Sequence, residues 1–116
     1  MNKYQHLFSP IKIGTVEVPN RIALLPMGVF SPRMMNNDGS YTKDGADYYI
    51  ERAKGGTGLI ITGLVPVPKG AGLPSIVNDV KSYTENMKYL ADGVHKYGSK
   101  VFVMLTGMTG RASNHA

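Results

Sequence analysis

Cysteine is absent from the 116 residues, which excludes a disulfide framework, a thiolate nucleophile and a cysteine-held metal cluster within the chain. No apolar run approaches the roughly 20 residues of a membrane-spanning helix, and no N-terminal segment has the form of a signal peptide. The expectation is a soluble, cytoplasmic protein. A basic stripe is missing as well. The net charge is +5, but the thirteen Lys and Arg residues are scattered from Lys3 to Arg111, so neither nucleic acid nor a membrane is expected as a partner. No spacing of His, Asp and Glu forms a metal site or a nucleophile triad. No metal ligand and no catalytic residue is therefore assigned. Glycine and proline, by contrast, are plentiful at fourteen and seven. They fall between apolar periodic segments and punctuate them, as in an ordered chain.

The first strong element is Arg21-Ile22-Ala23-Leu24-Leu25-Pro26-Met27-Gly28. Its apolar run is too short for a helix, Pro26 removes a donor and stops the ladder, and Gly28 permits close approach to the main chain. Ahead of it, Ile11-Lys12-Ile13 and Val16-Glu17-Val18 alternate around Gly14-Thr15, a hairpin signal with glycine first as a type II′ turn requires. A long connection follows, with turn signals at Ser31-Pro32 and Asn36-Asn37-Asp38-Gly39. Thr42 then caps a predicted helix whose apolar face is Ala46, Tyr49, Ile50 and Ala53, ended by Gly55-Gly56.

Gly58 to Thr62 reads as a second buried strand, followed at once by Gly63. After another long connection, Ser82-Tyr83-Thr84-Glu85 reads as a capping box before a stripe of Met87, Leu90, Ala91 and Val94, closed by Gly98. The last strand is Val101 to Leu105, running into Thr106-Gly107-Met108-Thr109-Gly110-Arg111. Alternating β and α elements with near-continuous apolar strands imply a parallel sheet covered on both faces. All three strands end in loops on the carboxyl side, where ligands sit in barrels and open α/β sheets. No element covers the third strand. The chain reads as the beginning of a larger protein, with an open three-stranded sheet as the rival architecture.

Tyr48 and Tyr49 fall mid-helix, where they pack the core. His95 falls near a helix end, where an imidazolium suits the dipole. His6 and His115 are terminal.

Four stretches together carry a resemblance: Leu7-Phe8-Ser9-Pro10-Ile11-Lys12-Ile13-Gly14, Asn20 to Gly28, Tyr48 to Gly63, and Gly110-Arg111. In this order they resemble the N-terminal part of the old yellow enzyme family of FMN-dependent ene reductases. The resemblance is greatest to the branch of 2-enoate reductases, 2,4-dienoyl-CoA reductases and bile-acid-inducible flavin oxidoreductases. It implies the N-terminal portion of a (β/α)8 barrel, with residues 1–116 as part of an FMN-binding domain whose remainder lies beyond Ala116. A complete barrel takes about 250 residues.

The implied chemistry transfers hydride from NADH or NADPH through FMN to an activated alkene such as an enoate or enone. Pro26, Met27, Gly28, Gly63 and Leu64 are implied to contact the flavin, largely through backbone, and Phe30 to border the substrate pocket. A family glutamine that hydrogen-bonds the flavin falls on Met104, whose thioether is a poor acceptor and no donor. Arg111 is implied to be structural. Proton donor, phosphate site and any iron–sulfur cluster or FAD are implied to lie beyond Ala116. Two other readings stay open, a catalytically inactive chain that self-associates through open sheet edges and a different barrel enzyme that binds a phosphorylated substrate.

Overall fold

The computed structural model describes residues 3–28, 31–67 and 75–107. Strands β1 (Ile11–Ile13) and β2 (Val16–Val18) pair antiparallel, Ile11 opposite Val18 and Ile13 opposite Val16. Gly14 between them takes φ +60°, the left-handed conformation that favours glycine at the head of such a turn. The hairpin is thus where the alternation placed it.

The remaining strands form one parallel sheet in the order β3-β4-β5. Strand β3 is Ala23–Leu24, β4 is Leu59–Pro66 and β5 is Lys100–Thr106, with helix α1 (Lys43–Lys54) after β3 and α2 (Val80–His95) after β4. A short 3-10 turn at Ile76–Asn78 leads into α2. The Thr42 side chain accepts the Gly45 amide at 3.1 Å and starts α1, as expected of an N-cap. Among the described residues no helix is long and apolar enough to cross a membrane.

Ala46, Tyr49 and Ala53 of α1 meet Leu90 and Val94 of α2 over Ile60 and Val65 of β4, with Leu24 and Val101 packed against the same cluster. Both helices therefore lie on one face of the sheet. Cβ atoms alternate along a strand, so Ala23, Phe102 and Met104 point away from the helices. That face is open at Phe102, which is 37% exposed. The expectation of cover on both faces is corrected. A doubly wound open sheet carries helices on both sides, whereas strands in sequential order with every helix on one side are the arrangement of a barrel wall.

Element boundaries also differ from those read in the sequence. Strand β5 is one residue longer at each end than Val101 to Leu105, and strand β3 is shorter than Arg21 to Leu25. The Ile22 carbonyl is taken by the Gly58 and Leu59 amides, and Pro26 offers no N–H to continue the ladder. Strand β4 runs through Gly63 instead of stopping before it. Thr62 and Gly63 together face Val103, a β-bulge after which pairing resumes at Leu64 with Met104. Helix α2 begins two residues before Ser82. Asp79 is its N-cap, its carboxylate accepting the Ser82 amide at 3.0 Å, so the Ser82–Glu85 box does not form.

At the amino ends of the strands, Asn20 joins the sheet to the turn after α1. Its amide donates to the Gly56 carbonyl at 2.8 Å while its oxygen accepts the Ile22 amide at 3.0 Å. A Cβ on Gly58 would stand 2.4 Å from that oxygen. The Asn20 and Gly58 positions are therefore coupled by contact.

Candidate functional site

The carboxyl ends of β3, β4 and β5 meet. Pro66 pairs with Thr106, the Val67 amide donates to the Thr106 carbonyl at 3.0 Å, and Leu64 pairs with Met104. The turn after β3 reaches the same place through main chain alone. A Cβ added at Gly63 would stand 2.2 Å from the Met27 carbonyl oxygen and 3.4 Å from the Gly28 Cα. Only glycine lets these two backbones touch. Of the six predicted contact residues, the structure brings together Met27, Gly28, Gly63, Leu64 and Met104, and Pro26 joins them through the chain. Phe30, Met108, Gly110, Arg111 and His115 lie outside the described residues.

What these residues present is apolar and open. Leu25 is 67% and Met27 63% exposed, and none of residues 25–28, 63–67 and 104–107 is Lys or Arg. A flat, largely apolar ring suits such a surface, because Gly28 lets it approach main chain and no charge has to be desolvated. The described residues thus fit the ring of a flavin but bring no cation to a phosphate. Met104 is part-buried on the open face, and its backbone amide lies 3.4 Å from the Thr62 hydroxyl oxygen.

Gly63 itself is not available for polar recognition. Its amide donates to the Tyr49 phenol oxygen at 2.9 Å, and its carbonyl accepts from the Tyr41 phenol and the Thr62 hydroxyl, each at 3.0 Å. The Tyr49 phenol lies 3.3 Å from that of Tyr41, closing a ring of bonds around one residue. The two rings meet edge to face with centroids 5.0 Å apart. Burial first, then the contact with Tyr49, push the Tyr41 phenol well above its ordinary range, so it stays protonated and donating.

No pattern in the sequence singles out Tyr41, and the helical stripe marks Tyr49 only as core. Tyr49 is indeed buried at 3% exposure. Its helical stripe was legible, whereas a hydroxyl partner fourteen residues away leaves no periodic trace. Tyr48 is part-buried beneath Arg52, whose guanidinium lies 3.4 Å from the ring centroid. His95 is exposed in the last turn of α2 and His6 is exposed near the start of the chain. Among the described residues no group of three His, Cys, Asp or Glu could hold a metal ion.

A second, polar concavity lies on the outer side, lined by Asn36, Asp38, Asp79, Ser82 and Asn86 among others. Asp38 is buried and accepts from the Ser40 amide at 2.8 Å and the Ser40 hydroxyl at 2.5 Å. Burial works to raise its pKa, but hydrogen bonds from Ser40, Ser82 and Asn86 outweigh that and hold it below the usual carboxylate value.

Comparison with known proteins matches residues 6–115 to the model of the NADH:flavin oxidoreductase / NADH oxidase family. The chain is 42% identical over 119 aligned positions to a cinnamate reductase of Clostridium sporogenes, covering 97% of this chain and 17% of that protein. It is 37% identical to an NADH oxidase of Thermoanaerobacter brockii, covering 90% of this chain and 16% of the other. Its fold superposes on the crystal structure of Old Yellow Enzyme from a Pichia species with a TM-score of 0.70 and 31% identity, over 86% of this chain and 26% of that one. The chain thus spans about a sixth of the cinnamate reductase and of the NADH oxidase and about a quarter of that solved structure.

Proposed function

This chain belongs to the NADH:flavin oxidoreductase / NADH oxidase family, and we propose that it builds the ring-facing part of the FMN site in an ene reductase. The observation that carries this reading is the main-chain contact of Gly63 with Met27 and Gly28, at the joined carboxyl ends of three parallel strands. That is the face on which barrels and parallel α/β sheets bind ligands. The different phosphate-binding barrel is left without support by the family match.

FMN held there would supply the hydride chemistry linking NADH or NADPH to the β-carbon of an activated alkene. The residues here bind and orient. Leu25 and Met27 give apolar cover, Pro26 to Gly28 and Leu64 present main chain, and Met104 stands at the polar edge with no donor to offer. Phe30 is proposed to border the substrate. Since a relative 42% identical is a cinnamate reductase, an enoate conjugated to an aromatic ring is the substrate class we propose. Any iron–sulfur cluster or FAD would have to be held outside these residues, which include no cysteine.

The test is an FMN titration followed by flavin fluorescence, then anaerobic reduction with NADH or NADPH and reoxidation by cinnamate or an enone. A polypeptide with these residues at the head of a complete barrel is expected to bind FMN stoichiometrically and to turn over. Residues 1–116 by themselves are expected to hold FMN weakly, because the phosphate site of such barrels lies in loops after strands seven and eight. A folded complete barrel that ignores flavin would sink the proposal.

A second reading concerns the 116 residues alone. The exposed apolar side chains of Leu25 and Phe102 and the edges of β3 and β5, which pair with no other strand among the described residues, favour self-association. Sedimentation at micromolar concentration should show assemblies, and a stable monomer would refute it.

A further inference from the structure

We propose that Tyr41 and Tyr49 act as a clamp that positions the flavin-facing main chain, an inference that rests on the FMN-site reading above. Tyr49 occupies the amide of Gly63 and Tyr41 its carbonyl, while the two phenols meet each other. The peptides on either side of the Gly63 Cα are thus each held at one polar atom. On its other side the same residue touches Met27 and Gly28. Tyr49 also borders a small crevice with Leu24, Leu25 and Met27. The tyrosines therefore lie beneath a stack of two main-chain segments, with Gly63 between the phenols and the turn that would meet the ring.

The bulge explains why such a clamp is needed. Thr62 and Gly63 face the single residue Val103, so the regular ladder gives way there before pairing resumes at Leu64. A peptide in a bulge can tilt, and a tilt at Gly63 moves Leu64 on one side and the Met27–Gly28 contact on the other. Two buried hydroxyls replace the lost ladder bonds and remove that freedom. The Thr62 hydroxyl adds a third hold, lying between the Gly63 carbonyl and the Met104 amide. Neither tyrosine touches a reacting atom. They are positioning residues.

Phenylalanine at 41 or 49 keeps the ring and removes the hydroxyl, so the core stays filled. The experiment compares the FMN-binding protein with its Tyr41→Phe, Tyr49→Phe and Tyr48→Phe forms. Val94→Ala, a core truncation in α2, serves as a stability control. The readouts are the FMN dissociation constant, the visible flavin spectrum, and hydrogen exchange at the Gly63 amide in the flavin-free protein. Loss of one such bond should weaken FMN about two- to tenfold, shift the flavin bands and speed Gly63 exchange. Val94→Ala should lower the melting temperature without changing affinity or spectrum, and Tyr48→Phe should change neither.

Wild-type binding with unchanged affinity and spectrum in both Tyr41→Phe and Tyr49→Phe would overturn the clamp while leaving the FMN site standing. An equal loss of affinity in Val94→Ala would overturn it too, by reducing the effect to general stability. Wild-type protein that binds no FMN would remove the functional reading itself, and the clamp's role toward flavin with it.

Discussion

The carbonyl oxygen of Met27 occupies the space in which a side chain on Gly63 would begin, 2.2 Å from the position of its Cβ. The obstacle is backbone, which has no rotamer to change. One strand end is therefore seated on another at the point where the proposed cofactor site begins.

Gly63→Ala should accordingly be costly. Overpacking typically destabilises by about 1–3 kcal/mol, and here the displaced atoms belong to the Met27–Gly28 turn, so FMN binding should fall along with stability. Gly107→Ala is the matched comparison, since a Cβ there meets nothing within 4 Å among the described residues. Urea melts should separate the two variants. Equal stability would show that the β3 turn moves aside freely.

Asp38 predicts a pH dependence. Its folded pKa lies below the ordinary carboxylate value, so the unfolded chain binds the proton more readily. The stabilisation is present above the unfolded pKa and is lost as pH falls through the folded one. Asp38→Asn should lower stability at neutral pH by about 1.5–3 kcal/mol, the range for hydrogen bonds to a charged group. It should also flatten the acid side of the profile. Parallel wild-type and variant curves from neutral pH to pH 3 would refute the assignment.

The start of α2 gives a test between two residues. Asp79 accepts the Ser82 amide, so Asp79→Ala should cost about 1 kcal/mol, as loss of an N-cap does. Ser82→Ala should cost less, because Ser82 lies inside the helix. Chemical denaturation reads both, and a larger loss at Ser82 would restore the capping box.

Met104→Gln addresses the missing polar contact. Met104 lies on the open face opposite Leu64, and glutamine would bring a donor and an acceptor there. In the FMN-binding protein the variant should bind flavin roughly two- to tenfold tighter, the worth of one net hydrogen bond. Unchanged or weaker affinity in a fluorescence titration would place Met104 away from the flavin edge.

Local patterns carried much of this far. Alternation around Gly14-Thr15 determined the hairpin, the 3.6-residue stripe of Ala46, Tyr49 and Ala53 determined which face of α1 is buried, and Thr42 determined where that helix starts. Apolar runs placed three strands and their order. These features depend on neighbours within one or two turns of chain, so they are written in consecutive residues. The motifs from Leu7 to Gly63, together with Gly110-Arg111, also carry the resemblance to the family that the comparison shows.

The rest depends on contacts between distant residues. Gly63 looked like a strand terminator because glycine usually is one, and only its contact with Met27 turned it into a bulge inside β4. Asp79 outcompeted Ser82 for the cap because the chain entering from Ser75 to Asn78 set where α2 begins. Tyr41 and Tyr49 are eight residues apart, yet what unites them is a residue twenty-two and fourteen positions further on. A hydroxyl's partner is chosen by three-dimensional proximity. Residue type and spacing determined that these tyrosines would be available to a core; the packing of α1 against β4 decided which residue they hold.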